Sequence, residues 1–495
     1  MAHIAPAADP AQAVRFGTPS GRWVLLATVL GSGIVSLDAT VVNVALPRLG
    51  RDLDADFAGL QWVLNGYTLS LASLILVGGA LGDRFGRRRL FVIGVVWFAL
   101  ASLVCGIAPN VTTLVAARML QGIGGALLTP GSLAIIQASF HPDDRARAIG
   151  AWSGLGGITS AIGPFLGGYL VEAASWRWIF LLNLPLSAFV LFAAVRHVPE
   201  SKAPATDGRL DGLGALLGAL GLAGTTWGLI ERSWVIGIIG IAGLAAFVIA
   251  EARQRHPMLP LAIFRSRQFS ATNVTTLFVY AGISMVFFML ALVLQDALGY
   301  SPIEAGAASF PITLIMLAFS ARAGALAQRI GPRWPMTIGP FVIAAGLLLM
   351  TRVSPGQSYA GAVLPAVLVF AAGLALTVAP LTATALASAD ERHSGVASGV
   401  NNAVARVGGL LAVAAIPIIA GFNPGAEITS GELVDGFHTA LYGAAGLIVI
   451  GAVIAWANIS SATLSELTPD DDGQPDDGQP DDGDGTTAPA AGSVP

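Results

Sequence analysis

The amino-acid sequence predicts an all-α polytopic membrane protein with 14 transmembrane helices arranged 6+2+6. Three observations support this fold class. Hydrophobic residues make up 54% of the 495 residues and charged residues only 11%, whereas ordinary soluble domains carry about 25% charged residues. Apolar runs of membrane-spanning length recur along the chain. Two distant basic turns share one residue pattern, which indicates an internal duplication.

Fourteen apolar runs are long enough to cross a hydrocarbon core of about 30 Å as helices. They cover approximately residues 23–46, 59–81, 89–108, 111–138, 148–172, 176–196, 212–231, 234–250, 270–295, 303–328, 335–352, 361–386, 395–420 and 437–458. Several of them are rich in Gly, Ala, Ser and Thr, and such small residues let helices pack closely in a membrane.

The duplication explains the 6+2+6 arrangement. Both basic turns read Gly-x-Leu-x-x-Arg-x-Gly-x-Arg, beginning at Gly79 after the second span and at Gly324 after the tenth. The repeat is therefore offset by eight helices. The simplest account is six helices, two inserted helices and six more.

The same account predicts five segments. They are an N-terminal segment (1–20), a six-helix bundle (21–197), two inserted helices (198–256), a second six-helix bundle (257–460) and a C-terminal tail (461–495). The tail repeats Asp-Asp-Gly-Gln-Pro and is too acidic and too poor in apolar residues to fold, so we expect it to be disordered. The single cysteine, Cys105, excludes an intramolecular disulfide and a cysteine metal cluster.

Charge predicts the orientation of the chain. Most arginines fall in the connections that lie on the same side as the two termini, and only five fall on the opposite side: Arg48, Arg51, Arg177, Arg232 and Arg352. By the positive-inside rule, the arginine-rich side and both termini are expected to be cytoplasmic. The segment from Arg253 to Phe269 is compatible either with a helix along the membrane surface or with a plain loop.

Four motifs carry a resemblance to a known family. They are Leu37-Asp38-x-Thr40-Val-Val-Asn43, Gly79-x-Leu81-x-Asp83-Arg84-x-Gly86-Arg87-Arg88, Arg118-x-x-Gln121-Gly122-x-Gly124 and Gly163-Pro164-x-x-Gly167-Gly168. The run Trp176-Arg177-Trp178-Ile-Phe180-x-x-Asn183 also fits. In this order, the motifs resemble those of the major facilitator superfamily, and in particular its fourteen-helix drug:proton antiporter branch. The resemblance covers nearly the whole chain except the first 20 residues and the tail.

The resemblance implies a proton-coupled exporter of drugs or secondary metabolites that works by alternating access in the bacterial cytoplasmic membrane. The expected partners are a small organic substrate, protons and the lipid bilayer; we expect a monomer without a cofactor, a metal site or a nucleic-acid partner. No nucleotide-binding Gly-Lys-Ser/Thr motif occurs, so ATP is not the expected energy source. An enzyme is not expected, because no nucleophile–base set is visible. A proton-coupled importer of a small nutrient and a non-transporting receptor remain alternatives.

Asp38 is the only acid deep inside a predicted span, and Arg118 lies at a matching depth on the fourth span. An ionised carboxylate there costs at least about 2.5–3.5 kcal/mol, so it needs a partner, water or a proton. The two residues are therefore predicted to form the proton-coupling site. A static ion pair that only joins two helices is the alternative.

The other predicted site residues form three groups. The cytoplasmic gate motif is Gly79, Asp83, Arg84, Gly86, Arg87 and Arg88, and the family resemblance implies that it joins the two halves when the cytoplasmic side is closed. The alternative is that its arginines only fix the orientation of the chain in the membrane. The antiporter motif is Gly163, Pro164, Gly167 and Gly168, for which close helix packing is the simpler explanation. The predicted substrate cavity contains Asn43, Gln121, Tyr280, Asn401, Asn402 and Arg406.

Overall fold

The structure is a computed structural model that describes residues 13–202, 211–254, 257–388, 394–422 and 428–462. Within this part, thirteen helices are long and apolar enough to cross a membrane. The helix Pro142–Ala173, with 32 residues, is the remaining long helix of the described part. Most of the predicted N-terminal segment (1–20) and nearly all of the predicted tail (461–495) lie outside the described residues.

The predicted 6+2+6 order of helices is present. The first half contains α1 (Pro19–Leu53), α2 (Phe57–Phe85), α3 (Arg87–Gly106), α4 (Val111–Ser139), α5 (Pro142–Ala173) and α6 (Trp178–His197). The inserted pair is α7 (Gly212–Ile230) and α8 (Trp234–Arg253). The second half contains α9 (Arg267–Ala297), α10 (Pro302–Ile330), α11 (Arg333–Met350), α12 (Tyr359–Ala387), α13 (Ser394–Ile419) and α14 (Ser430–Asn458). Short connections join most neighbouring helices, so successive helices run in opposite directions.

Two faces of the helix array are needed to describe the site. We call the face where α1 begins the Pro19 face and the face where α1 ends the Leu53 face. The two basic turns, between α2 and α3 and between α10 and α11, lie at the Pro19 face.

Both basic turns contain a glycine with a positive φ angle. Gly86 has φ +112° and Gly331 has φ +81°, in the region that favours glycine. Neither position has room for a side chain: a Cβ at Gly86 would lie 2.8 Å from the Glu200 carboxylate, and one at Gly331 would clash with the carbonyl of Ser461. The matching conformation at equivalent places agrees with the predicted duplication.

The halves pack along two seams, one between α2 and α13 and the other between α5 and α10. At the second seam, a Cβ added to Gly168 would clash with the carbonyl of Pro302, and one added to Gly306 would clash with the carbonyl of Pro164. The backbones of α5 and α10 are therefore in direct contact, as small residues allow in membranes.

Among the described residues, four polar contacts join the halves, and each lies toward the Leu53 face. They are the Arg51–Asp296 ion pair (3.5 Å), the Gln295 amide on the carbonyl of Val44 (2.8 Å), the Ile303 N–H on Glu172 (3.0 Å) and the Gln61 amide on the carbonyl of Val413. Phe57 adds ring contacts across the same face with Phe288 and Phe422, at centroid distances of 5.4 and 5.1 Å. The halves are thus held together at the Leu53 face.

Gly78 of α2 provides a test of this packing. A Cβ there would clash with the carbonyl of Ala126 on α4, so Gly78→Ala is expected to destabilise the protein by about 1–3 kcal/mol through overpacking. Gly150→Ala on α5 is the matched control, because no atom lies within 4 Å of its added Cβ. Thermal unfolding of both variants in detergent checks the prediction. Equal unfolding temperatures would contradict the close approach of α2 and α4.

Candidate functional site

The centre of the first half contains a buried ion pair. Asp38 on α1 and Arg118 on α4 are both 0% exposed, and Nη1 of Arg118 donates to Oδ2 of Asp38. The structure therefore brings together the two residues whose depths match in the sequence. Their role in proton coupling stays a prediction.

Two amides complete the surroundings of the carboxylate. Nε2 of Gln121 and Nδ2 of Asn183 donate to Oδ1 of Asp38, at 2.8 and 3.0 Å. The same two nitrogens lie 2.8 and 3.3 Å from the hydroxyl oxygen of Ser102. Four helices, α1, α3, α4 and α6, thus contribute side chains to one polar network. Nothing in the sequence singles out Ser102, since one small polar residue in an apolar span is typical of helix packing.

Arg118 makes further contacts on α2 and α6. Its Nε donates to the carbonyl of Val63 at 3.0 Å. The guanidinium carbon lies 4.2 Å from the ring centroid of Tyr67 and 5.6 Å from that of Phe180, within the range of a cation–π interaction. Its Nη2 is buried without a hydrogen-bond partner among the described residues. The aromatic rings therefore surround a charge whose main compensation is Asp38.

This geometry makes the two charges depend on each other. Removing one member of a buried ion pair typically costs about 3–5 kcal/mol, because the other charge remains buried without compensation. Protonation of Asp38 would have the same consequence for Arg118. A proton can therefore be bound at low cost only if the site rearranges or opens to water.

The predicted cavity residues do not form one cluster. Gln121 belongs to the ion-pair network, whereas Asn43 donates to the carbonyl of Ala39 in its own helix at 3.1 Å. In the second half, Asn401 donates to Asn273 (3.2 Å) and to Thr276 (2.9 Å), which joins α13 to α9. Asn402, its neighbour in the chain, is exposed.

Arg406 is the charged residue that faces the first half from α13. It lies about 18 Å along that helix by the usual rise per residue. Its Nε is buried and has no hydrogen-bond partner among the described residues. Tyr67 of the first half and Tyr280 of α9 both lie within electrostatic range of its charge. Tyr67 is therefore close to both Arg118 and Arg406.

The gate motif is held together within the first half. Asp83 accepts from Nε of Arg87 at 2.9 Å, and Nη1 of Arg88 donates to the carbonyl of Val198 at 3.1 Å. Arg84 lies over the ring of Phe85 at 5.5 Å, and a Cβ at Gly79 would make an ordinary contact with Pro130.

Glu200 supports this turn, although its position in a loop gives no signal in the sequence. Its two carboxylate oxygens accept from the backbone N–H groups of Arg88 and Arg89, both at 3.1 Å. These are orphan donors at the start of α3, where a negative charge is favourable. The carboxylate fixes α3 to the end of α6.

The antiporter motif serves close packing. A Cβ at Gly163 would clash with the side chain of Thr40, and one at Gly167 would lie 3.0 Å from Val41 on α1. Gly168 and Pro164 form the seam with α10. The motif thus lets α5 contact α1 and the second half at once, and α5 runs as one continuous helix through Pro164.

The ion pair can be tested by stability alone. We expect Arg118→Met to destabilise the protein by about 3–5 kcal/mol, since it leaves a buried carboxylate without its counter-ion. Adding Asp38→Asn should recover part of this loss. The measurement is thermal unfolding in detergent, and Arg51→Met at the exposed Arg51–Asp296 pair is a control expected to change little. A double variant no more stable than Arg118→Met would contradict the dependence of the two charges on each other.

Comparisons with known proteins agree with this architecture. Residues 28–413 match the family model of the Major Facilitator Superfamily. The chain is 34% identical over 461 residues to the puromycin resistance protein pur8 of Streptomyces alboniger, covering 88% of this chain and 91% of that protein. It is also 34% identical to the tetracenomycin C resistance and export protein of Streptomyces glaucescens, covering 80% and 75% of the two chains. A crystal structure of the peptide transporter POT in complex with sulfate has a similar fold, with a TM-score of 0.66, 17% identity and coverage of 93% and 98%.

Proposed function

Because the chain belongs to the major facilitator superfamily, we propose that it is a multi-pass membrane transporter that exports a drug or secondary metabolite in exchange for protons. The observation that carries the proposal is the buried Asp38–Arg118 pair at the centre of the first half. Intramembrane charges are functional by default. The two named relatives, a resistance protein and a resistance and export protein, support export as the direction.

The proposed orientation places the Pro19 face in the cytoplasm. The connections at that face carry most of the arginines, including Arg84, Arg87, Arg88 and Arg89 in the first basic turn. This bias is the usual mark of the cytoplasmic side. Substrate would then enter from the Pro19 face and leave at the Leu53 face.

Alternating access gives the ion pair its function. In the present conformation the halves are joined at the Leu53 face, and Asp38 is sealed from solvent with its charge offset by Arg118. Opening of the Leu53 face would give water access to the network and let Asp38 take a proton there. Loss of the carboxylate charge would then favour a conformation in which Arg118 finds other compensation. Proton binding would therefore shift the conformational equilibrium, and the conformation would in turn set the proton affinity of Asp38.

The gate motif is proposed to join the halves at the Pro19 face in the opposite conformation. Asp83 is about half exposed and is bound only by Arg87 of its own turn among the contacts described. It is therefore free to meet the second half when that face closes. In the second turn Gln328 replaces the acid, so the contact is expected to be asymmetric.

Arg406 is proposed to bind an acidic group of the substrate. It is a guanidinium at mid-depth with a buried Nε that lacks an acceptor, and it lies near Tyr67 and Tyr280. An unpaired cation in this position favours an anion, and tyrosine rings favour a flat aromatic body. The preferred substrates would then be aromatic molecules with a carboxylate or another acidic group.

Asp38→Asn tests proton coupling. In everted vesicles whose interior is acidified, the wild type should concentrate a fluorescent dye, whereas the variant should accumulate no more than vesicles without the protein. Dye counterflow without a proton gradient should persist in Asp38→Asn, which shows that the variant is folded. Asp435→Asn, an exposed acid at the Leu53 face, is the control and should transport normally. Gradient-driven accumulation by Asp38→Asn would refute the proposal.

Arg406→Gln tests the substrate class with 1-pyrenebutyrate and its neutral analogue 1-pyrenebutanol. Loss of a hydrogen bond to a charged group should raise the KM for the acid by about tenfold or more. The KM for the alcohol should change much less. Arg406→Lys keeps the charge and should retain part of the preference for the acid. Equal changes for both compounds would show that Arg406 does not recognise an acidic group, while leaving proton-coupled export intact.

A further inference from the structure

The two inserted helices pack together as one body. Glycines face each other along α7 and α8: Gly228 is against Gly237, and Gly224 is against Gly240. A Cβ added to Gly224, Gly228 or Gly240 would clash with the backbone of the facing helix. Close backbone contact of this kind is typical of tightly associated membrane helices. We call this pair, with its turn Glu231–Ser233, the inserted hairpin. It is expected to move as a unit.

At the Leu53 face the inserted hairpin is bound to the second half. Nη2 of Arg232 donates to the carbonyl of Pro417 at 2.6 Å and to the carbonyl of Phe422. Both acceptors belong to the end of α13 and the turn that follows it. Two carbonyl acceptors on one guanidinium give this attachment a defined geometry.

At the Pro19 face the inserted hairpin is again tied to the second half. The Glu251 carboxylate accepts from the N–H of Leu259 at 2.8 Å. Leu259 belongs to the connection that leads into α9. With Ile263 and Phe264 of the same connection, it packs against Phe269, Ala397 and Val400 of the second half. The side chains of Leu259, Ile263 and Phe264 therefore pack against protein.

The contact of the inserted hairpin with the first half is different in kind. Nε1 of Trp62 on α2 donates to Oε1 of Glu231 at 2.9 Å, and the Trp62 ring lies 5.4 Å from that of Trp227 on α7. The rest of this contact, which includes Leu69 and Leu222, is apolar. Apolar helix surfaces can separate into lipid at little cost, because lipid tails are as apolar as leucine. The Trp62–Glu231 bond is the directional part of the contact.

We infer that the inserted hairpin travels with the second half during transport, and that the Trp62–Glu231 hydrogen bond holds the Leu53 face closed. This inference rests on the proposed alternating access between the halves. Glu231 and Trp62 are then positioning residues: they touch no substrate and set the balance between the two conformations. The hairpin bridges the outer part of the α2–α13 seam, and that bridge must break when the face opens.

The test measures the distance between the halves directly. Nitroxide labels at Thr112→Cys on α4 and Asp435→Cys on α14 report opening of the Leu53 face by pulsed electron paramagnetic resonance in nanodiscs. Both sites are exposed, and Cys105, the only native cysteine, is fully buried. Distances are recorded for each variant at pH 5.5 and 8.0.

Two variants should raise the ratio of open to closed molecules. Trp62→Phe removes the donor and Glu231→Ala removes the acceptor, and each should raise the ratio by about fivefold to tenfold, as expected for one partly exposed hydrogen bond to a charged group. Glu231→Gln keeps an acceptor oxygen and should restore a ratio close to that of the wild type. Asp52→Ala is the matched control: it removes the bond from Trp176 to Asp52 (3.1 Å), which lies within the first half at the same face.

The outcomes separate this inference from the proposed function. If the wild type shows both distances and their ratio is unchanged in Trp62→Phe and Glu231→Ala, the inference is overturned while alternating access stands. If Arg232→Gln is the only variant that changes the ratio of open to closed molecules, the contact that breaks on opening is the one between the inserted hairpin and α13. That result would also overturn the inference. A wild type that keeps one distance at every pH and with 1-pyrenebutyrate present would overturn the proposed function, and the inference with it.

Discussion

The ion pair between Asp38 and Arg118 is the constraint on which the first half depends. Two opposite charges without access to water are tolerable only when they compensate each other and most of their remaining polar atoms are hydrogen-bonded. Gln121 and Asn183 provide the remaining donors to the carboxylate, and Val63 and Tyr67 complete the surroundings of the guanidinium. With Ser102 of α3, which bonds to both amides, five of the six helices of this half are fixed around a single point. Any change in the charge of Asp38 therefore alters the interactions that each of these helices makes at this point.

Tyr67 extends this dependence to the second half. Its ring lies on Arg118, its hydroxyl donates to the carbonyl of Val35 at 3.3 Å, and its surroundings include the charge of Arg406. A displacement of Arg118 after proton binding would therefore displace a ring that is close to both cations. Interactions between charges are long-ranged in a medium of low dielectric constant. Under the proposed function, this is a physical route by which a proton on Asp38 would alter substrate binding at Arg406.

The sequence was sufficient for the helices, their number and the 6+2+6 order, because apolar runs and the repeated basic turn depend on local composition. It also predicted the pairing of Asp38 with Arg118, since charges at equal depth in a membrane must compensate one another. Ser102 and Glu200 could not be predicted. Their roles depend on the rotation of α3 about its axis and on the path of a loop, and neither property has a local signature. The cavity residues Asn43 and Asn401 show the same limit: an amide in a span can as easily bond its own helix or its neighbour as a substrate.

The duplication makes the two seams between the halves equivalent, yet the contacts at the two seams differ. An offset of eight helices relates α2 to α10 and α5 to α13, so the α2–α13 seam corresponds to the α5–α10 seam. At the α5–α10 seam the backbones touch directly at Gly168 and Gly306. At the α2–α13 seam the inserted hairpin covers the outer part and bonds to both sides. Direct backbone packing cannot be adjusted by a single side chain, whereas a bridge through Glu231 can. An insertion at the centre of the chain therefore gives a symmetric pair of bundles one seam whose strength can be set independently of the other.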